Sequence, residues 1–161
     1  MTRAAVFRNP NSSIELSQYA AIQAVAPSLR MEVIPMDHRH VNEIERGITT
    51  FAQEPNGSLI VIGQVAQAQR QQIIALAARN YLPAVYSYRG FVAGGGLISF
   101  GVDQAEPYRL AASYVDSILK GEKAADLPVQ APTKFETVLN LNTAKALGLS
   151  IPETLLATAM K

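Results

Sequence analysis

The stretch GSLIVIG, residues 57–63, decides the fold. Leu59, Ile60, Val61 and Ile62 follow one another with no polar residue between them. A strand built this way is buried on both faces, as a central strand of a parallel sheet is. Outward from it, RAAVF (3–7) reads as a short buried strand and MEVIPM (31–36) as a second, with Pro35 marking an edge position or a strand end. PAVYS (83–87), GLISF (96–100) and KFETVLN (134–140) read as three more strands.

Helical spacing fills the intervals. Ser12 or Ser13 caps a first helix carrying Leu16, Tyr19, Ala20 and Ala24. The segment 41–53 places Val41, Ile44, Ile48 and Phe51 on one face, and 67–81 reads as a third helix. The segment 105–121 carries the stripe Tyr108, Ala111, Val115 and Ile118, with Gly121 at the expected C-terminal cap. NTAKALGL and SIPETLLATAM read as short terminal helices. Alternation of this kind predicts an α/β fold, a three-layer sandwich around a mainly parallel sheet. With right-handed crossovers, the flavodoxin-like order 2-1-3-4-5 follows, one α/β lobe over residues 1–161.

Composition narrows the function classes. The 161 residues are 48% hydrophobic and 17% charged, a globular balance. A net charge of +1 gives no electrostatic reason to expect a nucleic-acid partner. With no cysteine, thiol catalysis, thiolate metal sites and disulfides are excluded. The segment MTRAAVFRNPNSS has no long apolar core, which predicts a chain without a signal peptide, cytoplasmic if expressed as given.

In a 2-1-3-4-5 sheet, ligands sit beyond the carboxyl ends of the strands. Four loops fall there: Asn9–Ser13, Gly63–Gln67, Tyr86–Arg89 and Phe100–Asp103. NPNSS is either an anion-holding helix start or plain capping chemistry. Arg89 suits a carboxylate or is an exposed surface cation, and Tyr86 and Tyr88 offer an apolar wall with a hydroxyl. Asp103 caps the following helix, holds the ammonium of an amino-acid-like ligand, or does both. His38 and His40 are the only histidines, too few for a metal site, so a solvated loop is expected there. AGGGL lacks the Lys-Ser/Thr of a phosphate loop and precedes a strand, so it reads as a hinge or tight turn. No G-x-S-x-G elbow and no acid–base carboxylate pair appears, and no cofactor is called for.

The run LPAVYSYRGFVAGGGLISFGVD (82–103), continuing through SILKGEKAADLPVQAPTKFETVLNLNTAKALGL, resembles the C-terminal half of a family of bacterial ABC-transporter substrate-binding proteins. These are type I periplasmic binding proteins related to tryptophan/tyrosine-type receptors. RAAVFRNPNSS, EIERGITTFAQEPNGSLIVIG and LAARNYLPAVY are similar to the same family in the same order. The resemblance implies one lobe of a two-lobe receptor that closes by a hinge, binds a small molecule without chemistry and delivers it to an ABC permease. It implies a periplasmic location. It also implies ligand contacts at Asn9, Asn11 and Ser12, at Gln64, at Tyr86 and Arg89, and at Asp103. The helix at 104–121 would pack on a first lobe, with residues 122–161 supplying the return strand and terminal helices. Without that lobe, a homodimer or domain-swapped assembly is expected. The alternative is a stand-alone flavodoxin-like interaction or oligomerisation module. An enzyme on the same fold is disfavoured by the lack of a nucleophile–base pair.

Overall fold

A computed structural model describes residues 1–37, 41–63 and 65–160. Its strands are β1 (Arg3–Arg8), β2 (Glu32–Asp37), β3 (Gly57–Val61), β4 (Ala84–Tyr86), β5 (Ile98–Val102) and β6 (Phe135–Leu139). They form one sheet in the order β2-β1-β3-β4-β5-β6. The first five run parallel, and β6 joins β5 antiparallel, with Phe100 opposite Thr137 and Val102 opposite Phe135. The 2-1-3-4-5 expectation holds, extended by the sixth strand.

The helices are α1 (Ser13–Val25), α2 (Val41–Phe51), α3 (Val65–Ala68), α4 (Arg70–Arg79), α5 (Arg89–Ala93), α6 (Ala105–Leu119), α7 (Leu141–Ala146) and α8 (Glu153–Thr158). The segment expected as one helix over 67–81 is two, α3 and α4. Helix α5 occupies residues expected to be loop.

Strand alternation sorts the core into layers. Ala5, Phe7, Leu59, Val61, Ala84 and Tyr86 face α2, α4 and α5, meeting Ile44, Ile48, Ile73 and Phe91 in the main cluster. Val6, Val33 and Ile60 face the other way, toward Tyr19 and Ile22 of α1. Full burial of side chains such as Ile48 or Ile73 contributes about 1.5–3 kcal/mol each. A third cluster, Leu97, Leu139 and Ala144, closes the end where α7 and α8 pack.

Both sheet edges are blunted. The Glu32 N–H donates to Thr2 O at 2.8 Å, so alternate residues Val33, Pro35 and Asp37 turn their backbone to the free edge. Proline at such a position removes a donor that would invite another strand. At the opposite edge the tail covers β6: Leu139 N–H donates to Met160 O at 2.9 Å, and Met160 N–H to Thr137 O at 2.8 Å.

One face is left incomplete. Helix α1 covers it only over β1, β2 and β3. Over β4, β5 and β6 the same face shows Val85, Phe100 and Phe135, which are 42%, 59% and 54% exposed. Phe100 and Phe135 stack on each other at 5.7 Å. Helix α6 buries none of its residues, and Tyr108, Val115, Ile118 and Leu119 stand in solvent.

Candidate functional site

The β1–α1 loop is closed by its own hydrogen bonds. Asn9 O accepts from Ser12 N–H at 3.1 Å, and Asn9 Oδ1 accepts from Asn11 N–H at 2.9 Å. Ser12 Oγ accepts from Glu15 N–H, making Ser12 the helix cap. The Glu15 carboxylate turns back to accept from Asn9 N–H at 2.6 Å. This is a variant of the capping box, with the acid satisfying a donor three residues before the cap. Glu15 is only 6% exposed. Its carboxylate fills the space over Gly63 at the end of β3, where a Cβ would meet Glu15 Oε1 at 2.1 Å. The chain can run so close because Gly63 has φ +85°. The carboxyl ends of β1 and β3, the topological switch point, are thus locked together by a buried acid.

At the end of β4 the side chains separate by parity. Tyr86 is 2% exposed, and its ring stacks on Phe91 at 4.5 Å. Burial pushes its phenol far above the usual tyrosine range. Tyr86, expected to line the cleft, therefore belongs to the core. Ser87 stays at the strand end, with its Oγ donating to Val61 O at 3.1 Å. Tyr88 packs partly buried against the main core. The glycine run ends α5: Gly94 is its C-terminal cap, and a Cβ on Gly96 would meet the Tyr86 ring at 2.6 Å.

Arg89 and Asp103 come to one open concavity of about 620 Å³, together with Arg109, Lys134, Glu136 and Thr137. Each is already partnered. Arg89 Nη1 lies 3.1 Å from Glu136 Oε2. Asp103 Oδ1 accepts from Ala105 N–H at 3.0 Å, and its Oδ2 lies 3.2 Å from Lys134 Nζ and 3.8 Å from Arg109 Nη1. The Ala105 N–H first, then the Lys134 ammonium, hold the Asp103 carboxyl below the usual aspartate range. Of the two expected roles for Asp103, capping the helix after β5 is realised in the structure.

Strand order sets the spread of these groups. The β1 and β5 ends are three strand spacings apart, about 14 Å. Asn9, Asn11 and Ser12 therefore stand apart from Arg89 and Asp103 along one rim. Gln64, His38 and His40 lie outside the described residues. Among the described residues no group of three acids or histidines is placed to hold a metal. Among the described residues no helix is long and apolar enough to cross a membrane. A depression of about 670 Å³ flanks the β2 edge between Arg3, Met36 and Phe51, away from the strand-end loops that define the candidate site.

Three partners escaped the sequence reading. Ser12-x-x-Glu15 was visible as a capping box and could have flagged Glu15. Glu136 and Lys134 reach the site only because β6 runs antiparallel and brings its start to the carboxyl ends of the others, which no local pattern announces.

A parallel lobe whose polar residues collect at the strand carboxyl ends is a small-molecule binding architecture. The chain belongs to the ABC transporter substrate binding protein family, whose model matches residues 2–161. It is similar to the tyrosine-binding protein of Clostridioides difficile, 23% identical over 116 residues, which are 66% of this chain and 34% of that protein. In fold it matches an ABC domain in complex with L-Trp from Streptococcus pneumoniae (TM-score 0.84, 23% identity, 98% of this chain and 55% of that one). It matches a conserved domain protein from Vibrio cholerae equally well (TM-score 0.84, 22% identity, 99% of this chain and 54% of that one). The chain spans about half the length of those structures.

Proposed function

We propose that this chain is the solute-binding lobe of an ABC-transporter receptor that holds an aromatic amino acid, does no chemistry on it, and presents it to a permease. The observation that carries the reading is family membership over residues 2–161. The tyrosine-binding relative and the neighbour solved with L-Trp support the ligand class. Asn11, Ser87 and Tyr88 form the rim that meets the ligand. A periplasmic location is part of this proposal.

Helix α6 serves as the inter-lobe helix. Its apolar stripe and the open sheet face at Val85, Phe100 and Phe135 are the surfaces that a complementary lobe, or a second copy in a dimer, covers. The same surfaces favour a second reading, a flavodoxin-like interaction module that binds no solute.

The chain contains no tryptophan, so tryptophan emission in a titration comes from ligand alone. L-tryptophan titrated with the protein, then competed with L-tyrosine, separates the two readings. One lobe buries only part of a ligand, so a dissociation constant on the order of 0.1–1 mM is expected. No change in emission and no thermal shift with L-tryptophan at about 10 mM or with L-tyrosine near its solubility limit would leave the interaction module as the function.

A further inference from the structure

We infer that Arg70, not Arg89, is the residue that anchors the carboxylate of the bound amino acid. The inference rests on the ligand class proposed above and names the group that selects it.

Arg70 opens α4, at the end of that helix where backbone N–H groups make the field positive. The preceding Gln69 supplies no side-chain cap. Its guanidinium reaches the loop beyond β4, where Nη1 stands 3.0 Å from the position a Cβ on Gly90 would take. Gly90 lies in the first turn of α5. Nε is buried with no hydrogen-bond partner among the described residues. No carboxylate among them lies within ion-pair reach of Arg70.

Each of these features opposes folding in the empty protein. A cation is disfavoured at a helix start, and a buried unpaired donor is costly. Glycine within a helix is less favourable than alanine, yet Gly90 leaves the room that the guanidinium uses. One anion placed against the terminal nitrogens of Arg70 relieves the first. The planar fork of arginine pairs bidentately with a carboxylate. Arg89 is the weaker anchor, because its Nη1 already lies 3.1 Å from the Glu136 carboxylate, whose charge repels a second one.

The test compares L-tryptophan with L-tryptophanamide, which keeps the ring and the ammonium and loses the carboxylate. Both are titrated against wild type, Arg70→Gln and Arg89→Gln, and the apo proteins are melted alongside. Expected are a wild-type preference for the acid of at least tenfold, loss of that preference in Arg70→Gln, and its retention in Arg89→Gln. Apo Arg70→Gln melts at or above wild type, because the change removes an unrelieved cation. The inference is overturned if Arg70→Gln keeps the preference, or if its apo form melts several degrees lower, which marks a structural residue. If wild type binds neither probe, the aromatic amino-acid reading fails by itself, and sulfate then reads the anchor. Stabilisation of wild type by sulfate that Arg70→Gln lacks supports it, and equal stabilisation of both overturns it.

Discussion

Replacing Gly63 with alanine places a methyl group where the Glu15 carboxylate lies. The new Cβ would stand 2.1 Å from Oε1 and 2.2 Å from Cδ, so the acid must leave. Two terms follow. The backbone at φ +85° becomes strained for an L-residue, by about 1–2 kcal/mol. Expulsion of the carboxylate breaks its 2.6 Å bond from Asn9 N–H, and hydrogen bonds to charged groups contribute about 1.5–3 kcal/mol. The sum, about 2.5–5 kcal/mol, is a large share of the roughly 5–15 kcal/mol available to a domain. Urea unfolding of wild type, Gly63→Ala, Glu15→Ala and the double variant reads both terms. In the Glu15→Ala background only the backbone strain remains, so Gly63→Ala should cost about 1–2 kcal/mol there, a coupling near 2 kcal/mol. Equal cost of Gly63→Ala in both backgrounds, within about 0.5 kcal/mol, would refute the lock between β1 and β3.

Asp103→Asn should lower the melting temperature at neutral pH. The folded-state carboxyl titrates below its unfolded value, so its stabilisation is present above the ordinary aspartate range and fades as pH falls through the lowered value. Melts of both proteins should converge below about pH 3, and a gap that persists there would mean that charge is not the cause. Val115→Lys with Leu119→Lys should leave stability within about 0.5 kcal/mol, because the two residues are 55% and 82% exposed. Light scattering across a concentration series should show association in wild type and a monomer in the variant; an unchanged mass would take the α6 stripe out of the interface.

Strand reading succeeded where burial is two-sided or strictly alternating. The run 57–63 found β3, and Ile44, Ile48 and Phe51 were placed on the buried face of α2. Helix α1 shows the limit. Leu16 follows the helical spacing yet is 40% exposed, while Glu15 is buried. Hydropathy orients an acid outward, and only the nearby backbone donor at Asn9 reverses that. Tyr86 was legible and was misread: it shares parity with Ala84, so a buried Ala84 required a buried Tyr86. Helix α5 escaped because five residues with a glycine among them carry no periodic signal. Arg70 was hidden because the split between α3 and α4 was not foreseen. Inside one long helix it is an ordinary solvated arginine, and at a helix start it is an anomaly.

Strand β6 ties the two surfaces of the lobe together. Its residues alternate, so Phe135 and Thr137 face the open side with Phe100, while Glu136 turns toward Arg89 and α5. Lys134, one residue earlier, holds Asp103, which in turn caps the start of α6. A partner seated on Phe100 and Phe135 therefore presses on the same strand that carries Glu136. A change in the direction of α6 reaches Asp103 and Lys134 directly. The charge pairs expected to grip a ligand thus lie between the proposed ligand rim and the exposed face of Phe100 and Phe135. On the proposed reading, with Arg89 and Asp103 already paired, discrimination among ligands falls to groups the fold leaves unrelieved. Arg70 is such a group among the described residues.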